Sequence, residues 1–244
     1  MTKECSKDMR KKKAVTMIYL TGDTHATLDI QKVCDFFELE SLRRPLTKED
    51  YLIILGDVGV CWDGGIQDNW VKELLSELPV TTLWIDGNHE NFDLLENYPT
   101  VKWNGGMVHQ IATDILHLMR GYCYEIDGKI IWTFGGGYSI DKMHRTEGIS
   151  WWSQEMPCAV EYERGIQNLE KSNFRVDYIL THTAPRSVVE KMCSDIIPGE
   201  EELQYYLQKI SEVTEFKNWY FGHWHMDIDI YSKYHGLMEE IVRC

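Results

Sequence analysis

No apolar run in this sequence is long enough to cross a bilayer: Thr16 to Leu20, Tyr51 to Leu55 and Ile179 to Leu180 each meet polar residues within a few positions. The basic N-terminus lacks the apolar core of a signal peptide. Cys-x-x-Cys is missing as well. The seven cysteines, Cys5, Cys34, Cys61, Cys123, Cys158, Cys193 and Cys244, are scattered and odd in number. That argues against a disulfide framework and a thiolate zinc site, and it points to a reducing cytoplasm. Cations are outnumbered, with 25 Lys and Arg against 39 Asp and Glu. The formal net charge of −14 opposes stable binding to long nucleic acids, whose affinity comes mostly from phosphate neutralisation. No G-x-G-x-x-G follows the first apolar run, and Gly135-Gly136-Gly137 lacks the spacing of a P-loop, so it reads as a tight turn or close backbone approach.

What is present is an ordinary globular composition over 244 residues, enough for one large domain with a buried core. We expect a mobile basic tail over residues 1–13 and a single domain over 14–244. Val15 to Leu20, Tyr51 to Leu55 and Val80 to Ile85 are short apolar strands. Helices are expected between and after them, over Asp29 to Glu40, Gln67 to Leu78 and Phe92 to Tyr98, the last with Asn91 as N-cap. Short strands alternating with helices imply a mainly parallel sheet covered on both faces, with ligands collecting at the carboxyl ends of the strands. Met107 to Ile111, Ile115 to Met119, Tyr122 to Ile126 and Lys129 to Phe134 read as an antiparallel meander, with a turn at Asp127-Gly128. Ser139 to Ser153 reads as a surface loop bordering the site. Beyond it we expect helices over Pro157 to Lys171, Ser187 to Cys193 and Glu200 to Ile210. The remaining strands are Val176 to Leu180, Trp219 to Phe221, Ile228 to Tyr231 and Leu237 to Val242.

Five of these strand ends carry the same kind of chemistry: Asp23 with His25, Asp57, Asn88 with His89, His182, and His223 with His225. A lone histidine after a strand is usually a satisfied surface or core residue, and Gly-Asp is common turn chemistry. Five coincidences at one end of a sheet are hard to assign to turns. Carboxylate, amide and imidazole donors together suit divalent transition ions better than calcium or magnesium alone, and Asp57, with two oxygens, is the natural bridge of a two-metal centre. The alternation in Asp-x-His and His-x-His puts both side chains on one side of an extended segment.

Taken in order, Gly22-Asp23-Thr24-His25, Gly56-Asp57, Gly87-Asn88-His89-Glu90, Thr181-His182 and Gly222-His223-Trp224-His225 resemble the motif set of the calcineurin-like metallophosphoesterase superfamily. The likeness covers about Thr21 to His225 and is nearest to the compact bacterial or phage members. It implies an α/β fold, a four-layered α/β/β/α sandwich of two mixed sheets flanked by helices. It also implies a hydrolase of phosphomonoesters or phosphodiesters working by attack of a metal-activated water. By the same resemblance, Asp23, His25 and His225 hold one divalent ion with Asp57 shared, and Asn88, His182 and His223 complete the second. Manganese is the first expectation, with iron, zinc, nickel or cobalt as alternatives. His89 is the catalytic histidine, protonating the leaving oxygen or stabilising its charge. The expected partner is a small phosphorylated substrate or nucleotide, with no membrane.

Two departures separate the chain from the protein Ser/Thr phosphatases of that superfamily. Their second motif continues Gly-Asp-x-x-Asp-Arg, whereas here it reads Gly56-Asp57-Val58-Gly59-Val60-Cys61, and the arginine they carry before Gly-Asn-His-Glu is Asp86. Arg120, Arg145 and Arg186 are the candidates for phosphate contacts, Arg145 and Arg186 foremost, against a surface salt bridge for each. Trp62, Trp103, Trp151 and Trp152 offer rings for stacking on a base, against simple packing. A protein phosphatase and a catalytically inactive scaffold are the competing readings.

Overall fold

The computed structural model describes residues 15–193 and 198–244. The basic tail expected over 1–13 lies outside the described residues. The first half runs β1 (Ile18–Thr21), α1 (Gln31–Arg43), β2 (Tyr51–Ile54), α2 (Ile66–Glu77), β3 (Thr81–Trp84) and α3 (Phe92–Leu95). Then come β4 (Thr100–Trp103), β5 (Gly106–Ala112), β6 (Ile115–Leu118), β7 (Cys123–Ile126) and β8 (Lys129–Phe134). The second half runs α4 (Ala159–Lys171), β9 (Tyr178–Thr181), α5 (Arg186–Met192), α6 (Glu201–Val213), β10 (Asn218–Phe221), β11 (Ile228–Ile230), β12 (Tyr234–Gly236) and β13 (Val242–Arg243).

These strands form two mixed sheets, ordered β13-β1-β2-β3-β6-β5-β4 and β11-β12-β10-β9-β8-β7. Side-chain alternation sorts the apolar residues into three layers. Ile18, Leu20, Ile53, Leu55, Leu83 and Ile85 point inward and meet Ile131, Tyr178, Leu180 and Tyr220 of the second sheet. Tyr19, Leu52, Ile54 and Trp84 point outward, under Val33 and Phe37 of α1 and Val71 and Leu75 of α2. Trp132, Phe134, Ile179, Trp219 and Phe221 face the other way, under Leu169 of α4, Val188 of α5 and Leu203 and Leu207 of α6. Burial on both faces explains why the parallel strands read as continuous apolar runs. The result is the expected α/β/β/α sandwich. Among the described residues no helix is long and apolar enough to cross a membrane.

Register aligns the strand ends. Thr21 lies opposite Ile54 and Ile54 opposite Trp84 in the first sheet, while Phe134 lies opposite Thr181 and Thr181 opposite Phe221 in the second. The loops after β1, β2, β3, β9 and β10 therefore leave from one edge of the stacked sheets.

Three expectations need correction. The runs between Met107 and Phe134 are not one meander: β5 and β6 extend the first sheet, the chain crosses at Arg120-Gly121, and β7 and β8 belong to the second. Alternation reveals which face of a strand is buried, but not which sheet it joins. Of Leu237 to Val242 only Val242 lies in a strand, where it opens β13. The Met238, Glu239 and Glu240 N–H groups donate to the Asp227 carboxylate at 2.8–3.1 Å, which removes them from any ladder. β4 was not expected at all. It joins β5 through Asn104-Gly105, both at positive φ with Trp103 paired to Gly106, the two-residue hairpin turn that Asn-Gly favours.

Candidate metal centre

Asp23, Asp57, Asn88, His182 and His223 all leave the shared edge within a few residues of a strand end, and tight backbone turns aim them inward. His25 (φ 42°), Asp57 (φ 51°), His223 (φ 66°) and His225 (φ 48°) lie in the left-handed region. The extended alternation expected for Asp23-x-His25 and His223-x-His225 is therefore replaced by turns, which re-aim each side chain individually. Two glycines permit the crowding. A Cβ on Gly56 would overlap the His182 imidazole, and one on Gly87 would overlap the Asp57 carboxylate.

Two donor groups result. Asp23, His25 and His225 form the first: the His225 Nε2 lies 3.2 Å from Asp23 Oδ2 and 3.0 Å from His25 Nε2. The second contains Asp57 and His182, whose Nε2 lies 3.7 Å from Asp57 Oδ2 and 3.1 Å from Asn88 Oδ1. His182 Nδ1 donates to the Leu55 carbonyl at 2.6 Å, so its Nε2 is left as the metal-facing nitrogen. Asn88 donates from Nδ2 to Ser139 Oγ at 3.1 Å, which turns its Oδ1 toward the same point. Asp23 stands between the groups, with Oδ1 3.7 Å from His182 Nδ1. Burial alone would favour its neutral form, but the surrounding histidines and the His223 N–H hold its carboxyl down at about 2. Oxygen and imidazole donors converging in two groups of this kind fit a pair of divalent transition ions.

His89 stands beside these groups without belonging to either, its ring centroid 5.7 Å from that of His25 and its backbone N–H on Asp57 Oδ1 at 2.8 Å. Behind it, Glu90 is fully buried and accepts from the Val58 N–H at 3.1 Å, tying the third loop to the second. Burial, then the nearby Asp57, pushes the Glu90 carboxyl well above its usual range.

The calcineurin-like phosphoesterase family model matches residues 16–227 of this sequence. The chain belongs to that family. As a calcineurin-like phosphoesterase it is a metal-dependent hydrolase of phosphoester bonds. No characterised relative matches it in sequence. Among solved structures it is similar to a hypothetical protein from Thermus thermophilus, with 17% identity, a TM-score of 0.43, and 91% of this chain and 75% of that chain covered. It is also similar to the phosphopantetheinyl hydrolase of Mycobacterium tuberculosis, with 16% identity, a TM-score of 0.44, and 92% of this chain and 89% of that chain covered. At those TM-scores neither likeness bears on substrate.

In this phosphoesterase the missing aspartate at Val60 is answered by an arginine. Arg145 Nη1 lies 3.0 Å from His89 Nδ1 and donates to the Ser150 carbonyl at 3.1 Å, while its Nε donates to Asp141 at 2.9 Å. A guanidinium only donates, so His89 Nδ1 accepts and the neutral ring carries its proton on Nε2. Burial lowers the His89 pKa, and the Arg145 charge lowers it further against the pull of Asp57. Arg145 thus meets the site through His89. Arg186 sits elsewhere: its guanidinium donates to Glu190 at 2.7 Å and to Gln204 at 3.4 Å, and it lines neither cleft at the centre. Of the tryptophans, Trp62 borders the centre, Trp152 is buried with its N–H on Asp93, and Trp103 packs on Tyr51 and Tyr124. Lys142 lies over the Trp151 ring.

Arg120, another candidate phosphate contact, is buried away from the centre. It donates from Nε to Asp86 at 2.7 Å, and His117 Nε2 completes the cluster 3.1 Å from the other Asp86 oxygen. Burial opposes the charge on Asp86, but Arg120 and His117 hold its carboxyl far below the usual range. A depressed carboxyl contributes stability above its unfolded pKa of about 4, and that stability is lost as pH falls toward the folded value. Arg120→Met would leave the buried Asp86 carboxylate with His117 as its remaining side-chain partner, at an expected cost of about 3 kcal/mol in urea unfolding at neutral pH. A change below ~1 kcal/mol would mean that Asp86 is hydrated or neutral.

Glu200 is the residue that sequence reasoning missed. It is fully buried, accepts from the Tyr138 N–H, Thr183 and Gln204, and lies 3.1 Å from His223 Nε2. Burial would push His223 down, but the Glu200 carboxylate raises it to about 9, while Glu200 itself is held at about 2. With Nε2 committed to Glu200, His223 has Nδ1 left for an ion. In Pro-Gly-Glu-Glu-Glu the residue looks like ordinary acidic helix-start chemistry, and no local signal marks it. Glu200→Gln is expected to weaken one metal equivalent about 10- to 100-fold by calorimetric titration and leave the other unchanged. Equal weakening of both would show that Glu200 supports the fold and not His223.

Proposed function

We propose that this chain is a dinuclear phosphoesterase cleaving a phosphomonoester or phosphodiester of a small or flexible substrate. Asp23, His25 and His225 hold one ion with Asp57 shared, and Asn88, His182 and His223 hold the other. The observation that carries this reading is the meeting of six donors in two adjacent groups, with the His223 ring 4.8 Å from that of His182 and His89 left over beside them. Manganese is the first candidate, followed by iron, zinc, nickel and cobalt. Bound there, the ions would supply Lewis acidity and lower the pKa of a coordinated water. His89 donates its Nε2 proton to the departing oxygen, and Arg145 holds the ring in the tautomer that does so. The expected substrate is a small phosphorylated molecule or nucleotide met in the cytoplasm.

An inactive scaffold fits less well, because the donors open onto clefts lined by His89. A protein phosphatase reading loses its phosphate-gripping arginine, since Asp86 points into the Arg120 cluster instead. The test is metal content and turnover together. Two transition ions per chain by elemental analysis, and hydrolysis of 4-nitrophenyl phosphate or its bis ester that stops with chelator, are expected. A chain that binds no such ions and cleaves neither ester would be a scaffold.

A further inference from the structure

His89 and Asp57 stand on a partition between two clefts. On one side is a cleft of about 550 Å³ bordered by Tyr138, Ile140 and Trp224, and on the other a slot of about 180 Å³ bordered by Ala26, Leu28, Trp62 and Gln67. Both include Asp57 and His89 in their walls, and the larger also includes Asn88, His223 and His225, so a phosphoryl group held at the centre borders both spaces. A phosphomonoester has one organic arm and would leave one of these spaces to water. A phosphodiester has two.

The charges lead the same way. Among the described residues neither cleft is lined by a lysine or arginine. The nearby Arg145 is already engaged with Asp141, the Ser150 carbonyl and His89. A monoester dianion gains most from extra guanidinium or ammonium contacts, whereas a diester carries a single charge. In a chain of net charge −14, the more weakly charged substrate meets less repulsion.

The slot is built rather than incidental. The Trp62 N–H donates to Asp68 at 2.7 Å, its carbonyl accepts from Asn91 at 2.7 Å, and its ring meets Trp152 edge-on at 5.6 Å. Pinned this way, it presents an aromatic wall 6.4 Å from the His89 ring. The volume is on the order of the ~150 Å³ that holds one benzene ring.

We infer that the substrate is a phosphodiester with one small, flat arm in the Trp62 slot and a larger arm in the Tyr138–Trp224 cleft. This rests on the phosphoesterase reading above and narrows it. In the reaction a water oxygen bonds to phosphorus and the P–O bond to one arm breaks. The departing oxygen takes a proton by way of His89, and the second water proton goes to solvent. An alcohol and a phosphomonoester leave.

The experiment compares bis(4-nitrophenyl) phosphate with 4-nitrophenyl phosphate on the metal-loaded protein, for the parent, Trp62→Ala, Trp62→Phe and Leu28→Arg. The parent is expected to favour the diester in kcat/KM by about tenfold or more. Loss of one stacked ring should raise KM for the diester about fivefold or more in Trp62→Ala, with Trp62→Phe near the parent. Leu28→Arg changes an exposed slot residue, so folding is not at stake, and it should improve the monoester while impairing the diester. A parent preference for the monoester, or a diester KM unmoved in Trp62→Ala, would overturn the inference and leave the phosphoesterase reading standing. If protein carrying two ions cleaves neither ester, both fail together.

Discussion

Asp57→Asn is expected to end turnover while leaving the fold intact. The substitution keeps the shape, and asparagine tolerates the left-handed backbone that Asp57 adopts at φ 51°. It removes one negative charge from the second donor group, 3.7 Å from His182 Nε2, and weakens the acceptor for the His89 N–H. If that carboxylate helps hold both ions, the loss is several kcal/mol of barrier, at least about 10³-fold in kcat/KM. Elemental analysis should show fewer than two ions per chain, with an unchanged thermal midpoint in the metal-free protein. An Asp57→Asn protein that keeps two ions and a tenth of the rate would remove Asp57 from the shared position.

His89→Ala should separate metal binding from chemistry. The ring lies outside both donor groups and its Nδ1 is taken by Arg145, so two ions per chain should remain. A positioned proton donor contributes about 10²–10⁴-fold, and that loss should appear in kcat with little change in KM. The loss should grow as the leaving group becomes poorer. A nitrophenolate departs with little help, whereas an alkoxide needs the proton, so the variant should retain more activity on aryl than on alkyl esters. Loss of an ion in His89→Ala would instead make the histidine a ligand. A uniform loss across leaving groups would give it a binding role without proton transfer.

Much of the centre was legible because its chemistry is written in adjacent residues. Gly87-Asn88-His89-Glu90 and Gly222-His223-Trp224-His225 each carry a turn and two functional groups in four positions soon after a strand, and parallel strands in register deliver such segments to one edge. The geometry by which they meet was not legible. The alternation in Asp23-x-His25 was read as an extended arrangement, but positive φ at His25, His223 and His225 turns each ring separately.

The fold shows the same division. Short apolar runs followed by amphipathic helices were enough to establish a parallel sheet covered on both faces, because a strand buried on both faces must be apolar throughout, while the two-sheet sandwich came from the resemblance of the motifs. They could not show that β6 and β7, neighbours in the chain, lie in different sheets.

By itself, then, the sequence supplied the candidate donor set and His89, since their residue types stand at short spacing, and it supplied the layered architecture through the resemblance of its motifs. The tertiary structure alone decided that Arg145 reaches His89 across 56 positions, that Glu200 holds His223, that Asp86 turns into Arg120, and that two clefts flank the partition. These depend on how loops from two sheets pack together. Partners so distant along the chain are selected by shape and burial, which no local period encodes.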